Sequence, residues 1–463
     1  MNSTKSLLRD SSLMRWMMLL LVSLTMFTVY VAQDLLAPLQ TMLEQYNNWT
    51  ASEYGFFMGS TYAFNVFLGM LIFGGIILDK KGIRFTGIVC SLLMLVGFSI
   101  KLWAITTPSL VGHTVTLFGS QYKSQVLLAG FGFAVFGIGT EVIGATVSKT
   151  IVKWFKGKEL ALAMGMQLSL ARLGTAVALS ITPVIAARAK GVGTPVQFGL
   201  ALLFVGFLLF ILYTIYDKKL DHQIEEATSS DNNDSEGSFT LADVKMILKS
   251  KGFWLISILC VVFYSAVFPF LKYAAGMMEF KFNVDPKLSG LIPSILPFGT
   301  IILTPLFGRI YDKIGRGVDL MIIGSILLIT VHLLFTMPFI NQWWIAIILM
   351  ILLGIAFSLL PSAMWPSLAK IIPEKQFGTA IALAFYVQNI GLMSVPMIIG
   401  HILNKYSVVG TVVKEGIEVN KYHYTYATSF FVLLSFIAII VSFILKKVDI
   451  EENYKLQEAN IEN

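Results

Sequence analysis

Apolar residues along the chain fall into twelve runs separated by short polar stretches: 15–37, 53–78, 86–105, 125–149, 159–187, 196–216, 252–278, 287–308, 318–338, 342–364, 377–403 and 424–446. A helix needs about 20 mostly apolar residues to cross a bilayer, so each run is a candidate crossing. The first run is too long for the core of a cleavable signal peptide, and no small-residue cleavage site follows it. One long interruption spans residues 217–251. Its middle, EEATSSDNNDSEGS, is polar and is expected to be disordered. Thr240 would cap a short amphipathic helix, TLADVKMILKSK, at the membrane surface. The pattern predicts an all-α membrane protein with twelve transmembrane helices in two six-helix bundles. The expected division is an N-terminal bundle over 1–216, a cytoplasmic linker over 217–251 and a C-terminal bundle over 252–463.

Composition sharpens this reading. Charged residues make up 13% and hydrophobic ones 56%, where a soluble domain carries about 25% charged residues. That excludes a soluble enzyme, a disordered protein and a nucleic-acid binder. The net charge of +7 is then a matter of topology. Of the 34 basic residues, 23 fall on the side shared by both termini and 9 on the other, with Arg172 and Lys272 inside spans and Lys101 counted at the outer edge. Cytoplasmic loops collect Lys and Arg, so both termini are expected inside. Cys90 and Cys260 lie in apolar runs, and the five histidines show no ligand spacing, so no disulfide framework or metal site is readable. Phosphate-cradling Gly-Lys loops and nucleophile elbows are missing as well. Neither an enzyme nor a cofactor is expected.

Two loops repeat. Gly75-x-x-x-Asp79-x-x-Gly82-x-Arg84 stands between spans 2 and 3, and Gly308-x-x-x-Asp312-x-x-Gly315-Arg316 between spans 8 and 9. Glycine lets helix ends approach closely, and an aspartate is stabilised facing a helix N-terminus. The neighbouring cations can pair with it when the halves close. Asp79, Arg84, Asp312 and Arg316 are therefore the candidate gating residues. Two six-helix halves carrying the same loop are the arrangement expected of a transporter built from repeats around a central site.

Charges inside the bilayer are costly, roughly 2.5–3.5 kcal/mol or more each, and mark cavities or partners. Glu141 lies about 12 Å and Arg172 about 20 Å from the inner ends of spans 4 and 5, at the helical rise of 1.5 Å per residue. A zwitterion with separated ends needs one carboxylate and one cation, and a guanidinium binds a carboxylate in a fixed fork. Two other roles remain open: mutual pairing that ties spans 4 and 5 together, and proton coupling through Glu141. Lys272 on span 7 is either a site residue or a snorkelling one, and Asp34 is interfacial or part of the pocket. Tyr30, Tyr62, Tyr264, Tyr386 and Trp365 can line a cavity with an apolar body and a polar tip. Aligning Arg172-Leu-Gly174 with Asn389-Ile-Gly391 sets Gln388 and Asn389 opposite Arg172, where amides would meet a peptide group.

With these loops, span count and linker position, the chain resembles the major facilitator superfamily over its whole length. The run KWFKGKELALAMGMQLSLARLG from Lys153 to Gly174, Glu141 before it, and SAMWPSLAKIIPEKQFGTAIALAFYVQNIG from Ser362 to Gly391 are similar to the branch that contains the lysosomal dipeptide uniporter. That resemblance implies that an acid on span 4 and an arginine on span 5 hold the two ends of a dipeptide, the matching residues here being Glu141 and Arg172. The expected function is a secondary transporter of short peptides working by alternating access. One alternative is an organic-anion or sugar-acid carrier using Arg172 and Lys272, with or without proton coupling; another is a non-transporting scaffold or receptor. The expected state is a monomer in a lipid bilayer, with no nucleic-acid partner and the question of an accessory subunit open. Short loops and few cysteines fit a bacterial inner membrane, with a lysosomal membrane as the alternative.

Overall fold

The computed structural model describes residues 7–117, 120–155, 158–227, 241–373 and 376–459. Most of the polar middle of the linker, the Thr240 cap, Lys156 and Lys375 lie outside them. Among the described residues, eleven helical stretches are long and apolar enough to cross a membrane, yet the chain makes twelve crossings. The first is α1 (Ser12–Asp34), which continues through a bend at Ala37–Leu39 into the short α2 (Gln40–Asn47). The second is broken into α3 (Ala51–Ser60), α4 (Ala63–Leu68) and the start of α5 (Met70–Thr106). The remainder are α6 (Ser124–Trp154), α7 (Leu160–Ala189), α8 (Gly193–Ala227), α10 (Lys251–Phe280), α11 (Leu291–Ile314), α12 (Gly317–Thr336), α13 (Trp343–Ile371), α14 (Phe377–Tyr406) and α15 (Thr425–Glu452). The short α9 (Leu241–Lys249) precedes α10, as the amphipathic pattern of that segment predicts. Two antiparallel hairpins not expected from the sequence, β1–β2 (Thr114–Leu117, Ser120–Lys123) and β3–β4 (Val408–Lys414, Ile417–Tyr422), add to the outer face.

Two crossings share α5 because Gly82 reverses the chain. Before it the chain runs parallel to α6: Phe56 approaches Gly130, Thr61 approaches Gly137 and Val142 approaches Gly74. After it the chain runs antiparallel to α6, with Met94 at Gly139 and Phe136 at Gly97. Gly82 adopts φ 79°, ψ 175° and its counterpart Gly315 φ 71°, a region open to glycine and costly for other residues. The repeated glycines at these two places are thus explained by backbone conformation. Close approach does not explain Gly75 and Gly308, where a side chain would meet nothing within 4 Å. Around Gly315 the backbone of Gln457 and Ala459 crowds in, and the Arg316 and Gly317 amides donate to the Gln457 and Leu456 carbonyls at 2.9 and 3.1 Å. We expect Gly82→Ala to cost about 1–3 kcal/mol and Gly315→Ala distinctly more, because only there must neighbouring backbone move. Thermal unfolding of the two variants tests this, and equal shifts would contradict it.

The break in the second crossing leaves the last carbonyls of α4 without helical partners. Tyr386 of α14 donates to the Val66 carbonyl at 2.9 Å, and Asn65 donates to the Gly137 carbonyl at 3.1 Å. Irregular backbone inside a membrane survives where protein or a water-filled cavity satisfies it, and Phe67 and Leu68 beside the break are exposed.

The halves meet through α3 against α14 and α7 against α11, and their contacts are concentrated toward the outer face. Gly55 and Gly59 lie against the Pro396 and Met393 carbonyls, Gly400 against Ala51, and Gly290 against Leu179. At the inner ends of the second crossing (in α5), α7 and α11, Phe73, Ile77, Leu162, Met166, Ile302 and Leu306 are exposed. The halves are therefore held together at the outer face, and their inner ends carry exposed apolar residues.

Lys101, counted from the sequence at the outer edge, is instead 1% exposed inside the N-terminal half. Its ammonium lies 3.5 Å from the Phe98 ring centroid and 4.5 Å from that of Phe133, a cation–π environment that offsets part of its lost hydration. Helix α8 runs on through Asp217 to Ala227, so the expected linker begins as helix.

Candidate functional site

Glu141 lies near the middle of α6 and Arg172 near the middle of α7, both partly exposed. Among the described residues no ion pair joins them. Each is instead engaged by the opposite half. Asn389 of α14 donates to Glu141 Oε2 at 3.3 Å. The Arg172 guanidinium stands 5.2 Å from the ring centroids of both Phe268 (α10) and Phe357 (α13). Tyr30 of α1 lies within electrostatic reach of Arg172, Glu141 and Asp34, Tyr62 within reach of Glu141 and Asp34, and Tyr264 within reach of Arg172. The charged poles and three of the five aromatic candidates therefore share one region between the halves.

The rest of the expected set divides. Trp365 donates to the Tyr264 hydroxyl at 3.2 Å, joining the aromatic wall. Tyr386 is turned to the Val66 carbonyl and serves the broken helix. The alignment that set both amides opposite Arg172 is corrected: Asn389 bonds to Glu141, and Gln388, buried, accepts from the Cys260 thiol at 3.1 Å. Phe268 and Phe357 were missed. A signal existed for Phe268, since Tyr264, Phe268 and Lys272 recur every four residues and so share one face of α10.

Lys272 does not snorkel. It forms an ion pair with Asp34, across the halves, with side-chain exposures of 12% and 14%. Thr175, one turn beyond Arg172 on α7, donates to the same carboxylate at 2.7 Å, so the pair sits directly on the outer side of the Arg172 level. The Tyr54 hydroxyl donates to the Lys272 and Ala37 carbonyls, both at 2.8 Å. Further out, α2 reaches across to the other half: Thr41 donates to Glu279 at 3.0 Å, Gln45 to the Lys414 carbonyl at 3.3 Å, Tyr46 to Glu415 at 3.0 Å, and Tyr422 donates to Glu44 at 2.8 Å. Lys414 also pairs with Glu279. If the Asp34–Lys272 pair is a closure between the halves, single neutral variants should impair transport while Asp34→Lys with Lys272→Asp recovers much of it. Uptake that stays at the single-variant level in the swapped protein would assign these charges to something other than each other.

At the inner face the repeated loops are held within their own halves. Asp79 pairs with Lys149 at 2.8 Å, not with a helix N-terminus as expected. Arg84 pairs with Asp221 at 2.6 Å and Asp217 at 3.3 Å, and Lys153 joins both acids. Together they line a cavity of about 300 Å³. In the second half Asp312 lies within electrostatic reach of Tyr311 and Lys370. Arg316 adopts φ 56° and opens α12, while Asp319 in the first turn of that helix pairs with Lys446 at 2.7 Å.

Comparison with known proteins agrees with this architecture. The family model of the Major Facilitator Superfamily matches residues 22–281 and 270–460. The chain is similar to the Lysosomal dipeptide transporter MFSD1 of Danio rerio, 32% identical over 72% of this chain and 68% of the relative. To the protein of that name from Homo sapiens it is 30% identical over 84% and 80%. Among solved structures it resembles the inward open xylose transporter XylE from E. coli, with a TM-score of 0.66, 16% identity and coverage of 94% and 96%. It also resembles a bacterial homologue of the human drug peptide transporters PepT1 and PepT2, with a TM-score of 0.61, 12% identity and coverage of 95% and 100%. These structural likenesses carry the fold.

Proposed function

Because the chain belongs to the Major Facilitator Superfamily, we propose that it is a multi-pass membrane transporter that moves short peptides, dipeptides above all, by alternating access. Glu141 takes the ammonium end of the cargo and Arg172 its carboxylate. The observation that carries the reading is that these opposite charges lie at mid-depth in one region without pairing to each other. Charges within a membrane span are retained where they have a partner or a task, and here each is left with an oppositely charged partner still to find. The relatives' printed names support a dipeptide cargo, and of the two membranes considered above they favour the lysosomal kind.

Asp34 and Lys272 close the outer side of the site. Tyr30, Tyr62, Tyr264 and Trp365 supply a wall that accepts varied side chains. The paired loops at Asp79–Arg84 and Asp312–Arg316 act at the inner face as the halves rock. The six-helix halves on either side of the segment around α9 are the moving units.

Uptake of labelled dipeptides by proteoliposomes tests the reading. Glu141→Gln should abolish it, because the neutral amide cannot balance an ammonium. Uptake of organic anions with no dipeptide uptake would instead support an anion carrier built on Arg172.

A further inference from the structure

Opposite charges on adjacent helices, each only partly exposed, attract more strongly than they would in bulk water. Glu141 and Arg172 both lie within reach of Tyr30, yet they stand apart. A site whose two poles collapsed on each other would offer nothing to a zwitterion. Something therefore holds them open, and the structure shows what touches each.

We infer that Phe268 and Phe357 are specificity-determining residues that keep Arg172 away from Glu141 and present it to the carboxylate of the cargo; this rests on the dipeptide reading above. The two rings lie 5.3 Å apart at an interplanar angle of 79°. Tyr264 stands 5.6 Å from each, so the three form one cluster across α10 and α13. The guanidinium is equidistant from both phenyl rings, at 5.2 Å. Aromatic faces carry negative potential and attract a cation without offering a formal charge or a proton. A guanidinium is planar and weakly hydrated, so it can stack by its face and keep the N–H edge free for a carboxylate fork. Lysine could not do both. Asn389 does the matching task at the other pole: it donates to Glu141, occupying the carboxylate with a neutral donor that an ammonium can displace. All three residues belong to the C-terminal half and both charges to the N-terminal half, so the site is preorganised by contact between the two halves.

Replacing both rings by leucine keeps apolar bulk and removes the π-face, which separates this role from packing. The probes are a free dipeptide, and an N-acetylated dipeptide that offers only the carboxylate. Binding is read by titration calorimetry on the full chain in nanodiscs. Phe268→Leu with Phe357→Leu should weaken both probes by roughly tenfold or more. Adding Glu141→Gln to that background should restore the N-acetylated probe, because Arg172 then has nothing to collapse onto. Phe268→Tyr with Phe357→Tyr should bind as the unaltered protein does. Should the double leucine variant fail to fold, Phe268→Leu alone carries the test, since Phe268 is only partly buried. Leucine variants that bind both probes normally overturn the inference, and so does a weakening that Glu141→Gln leaves uncorrected. Arg172→Ala distinguishes this from failure of the underlying reading: if it too binds dipeptide normally, the site itself is misassigned.

Discussion

An Arg172→Ala protein is expected to lose dipeptide binding by a factor between about 30 and several thousand. Truncating one partner of a desolvated, hydrogen-bonded charge pair costs roughly 2–5 kcal/mol, and each 1.4 kcal/mol is a factor of ten. Here the loss is double. The cargo carboxylate would enter a poorly hydrated region with no fork to receive it, and Glu141 would remain as an unopposed negative charge within reach of the same space. Arg172→Lys should fall in between, retaining the charge and losing both the planar fork and the guanidinium's contact with Phe268 and Phe357. Calorimetric titration of the purified variants with a neutral dipeptide is the measurement. An affinity within threefold of the unaltered protein for Arg172→Ala would remove the central residue of the proposed mechanism.

The second large effect is expected at the outer seam. Side chains at Gly59 and Gly290 would run into the carbonyls of Met393 and Leu179 on the opposite half. Backbone cannot yield as a flexible side chain can, so the bulk must be accommodated by parting the helices. Gly59→Trp with Gly290→Trp should therefore hold the outer mouth open. Peptide flux should fall more than tenfold while binding survives, since neither residue touches Glu141 or Arg172. The state can be read with Thr175→Cys in a background in which Cys90 and Cys260 are replaced by serine. Thr175 is buried beneath the Asp34–Lys272 pair, so a membrane-impermeant maleimide added outside should label it only in the wedged protein. Normal flux, or labelling equal to that of the parent, would mean that the seam does not part in the cycle.

Much of the architecture was legible because bilayers impose a coarse code. Eleven of the crossings stand out as uninterrupted apolar helices, and the twelfth was readable as an apolar run even though its helix is broken. The break itself was hidden: Thr61, Tyr62 and Gly69 interrupt the helix without interrupting the hydrophobicity, and its repair comes from Tyr386, some 320 residues away. Lys101 was misplaced for a related reason. A lysine near the end of an apolar run looks interfacial, and nothing in its neighbours announces that Phe98 and Phe133 fold around it.

The site followed the same logic. Glu141 and Arg172 were conspicuous because formal charge is rare in an apolar run, but their C-terminal counterparts carry no such contrast. Phe268 and Phe357 are two of 35 phenylalanines, and only a three-dimensional arrangement distinguishes them. Asp34 and Lys272 were both noticed singly. Their partnership spans 238 residues and could not be found from local spacing. Pairings between halves are generally of this kind, because the residues involved answer to the geometry of closure and not to the helix that carries them.

The placement of α2 has a mechanical outcome. By sequence it extends the first crossing, while its last residue, Asn47, remains tied to the Ile105 carbonyl; by bonding, most of its length belongs to the hairpin and helix end across the cleft. The chain changes direction on each side of it, at the buried Ala37–Leu39 bend and at the left-handed Asn48. The segment is thus a single strap bonded to both halves at the outer rim, so the halves can part there only by breaking its bonds to one of them.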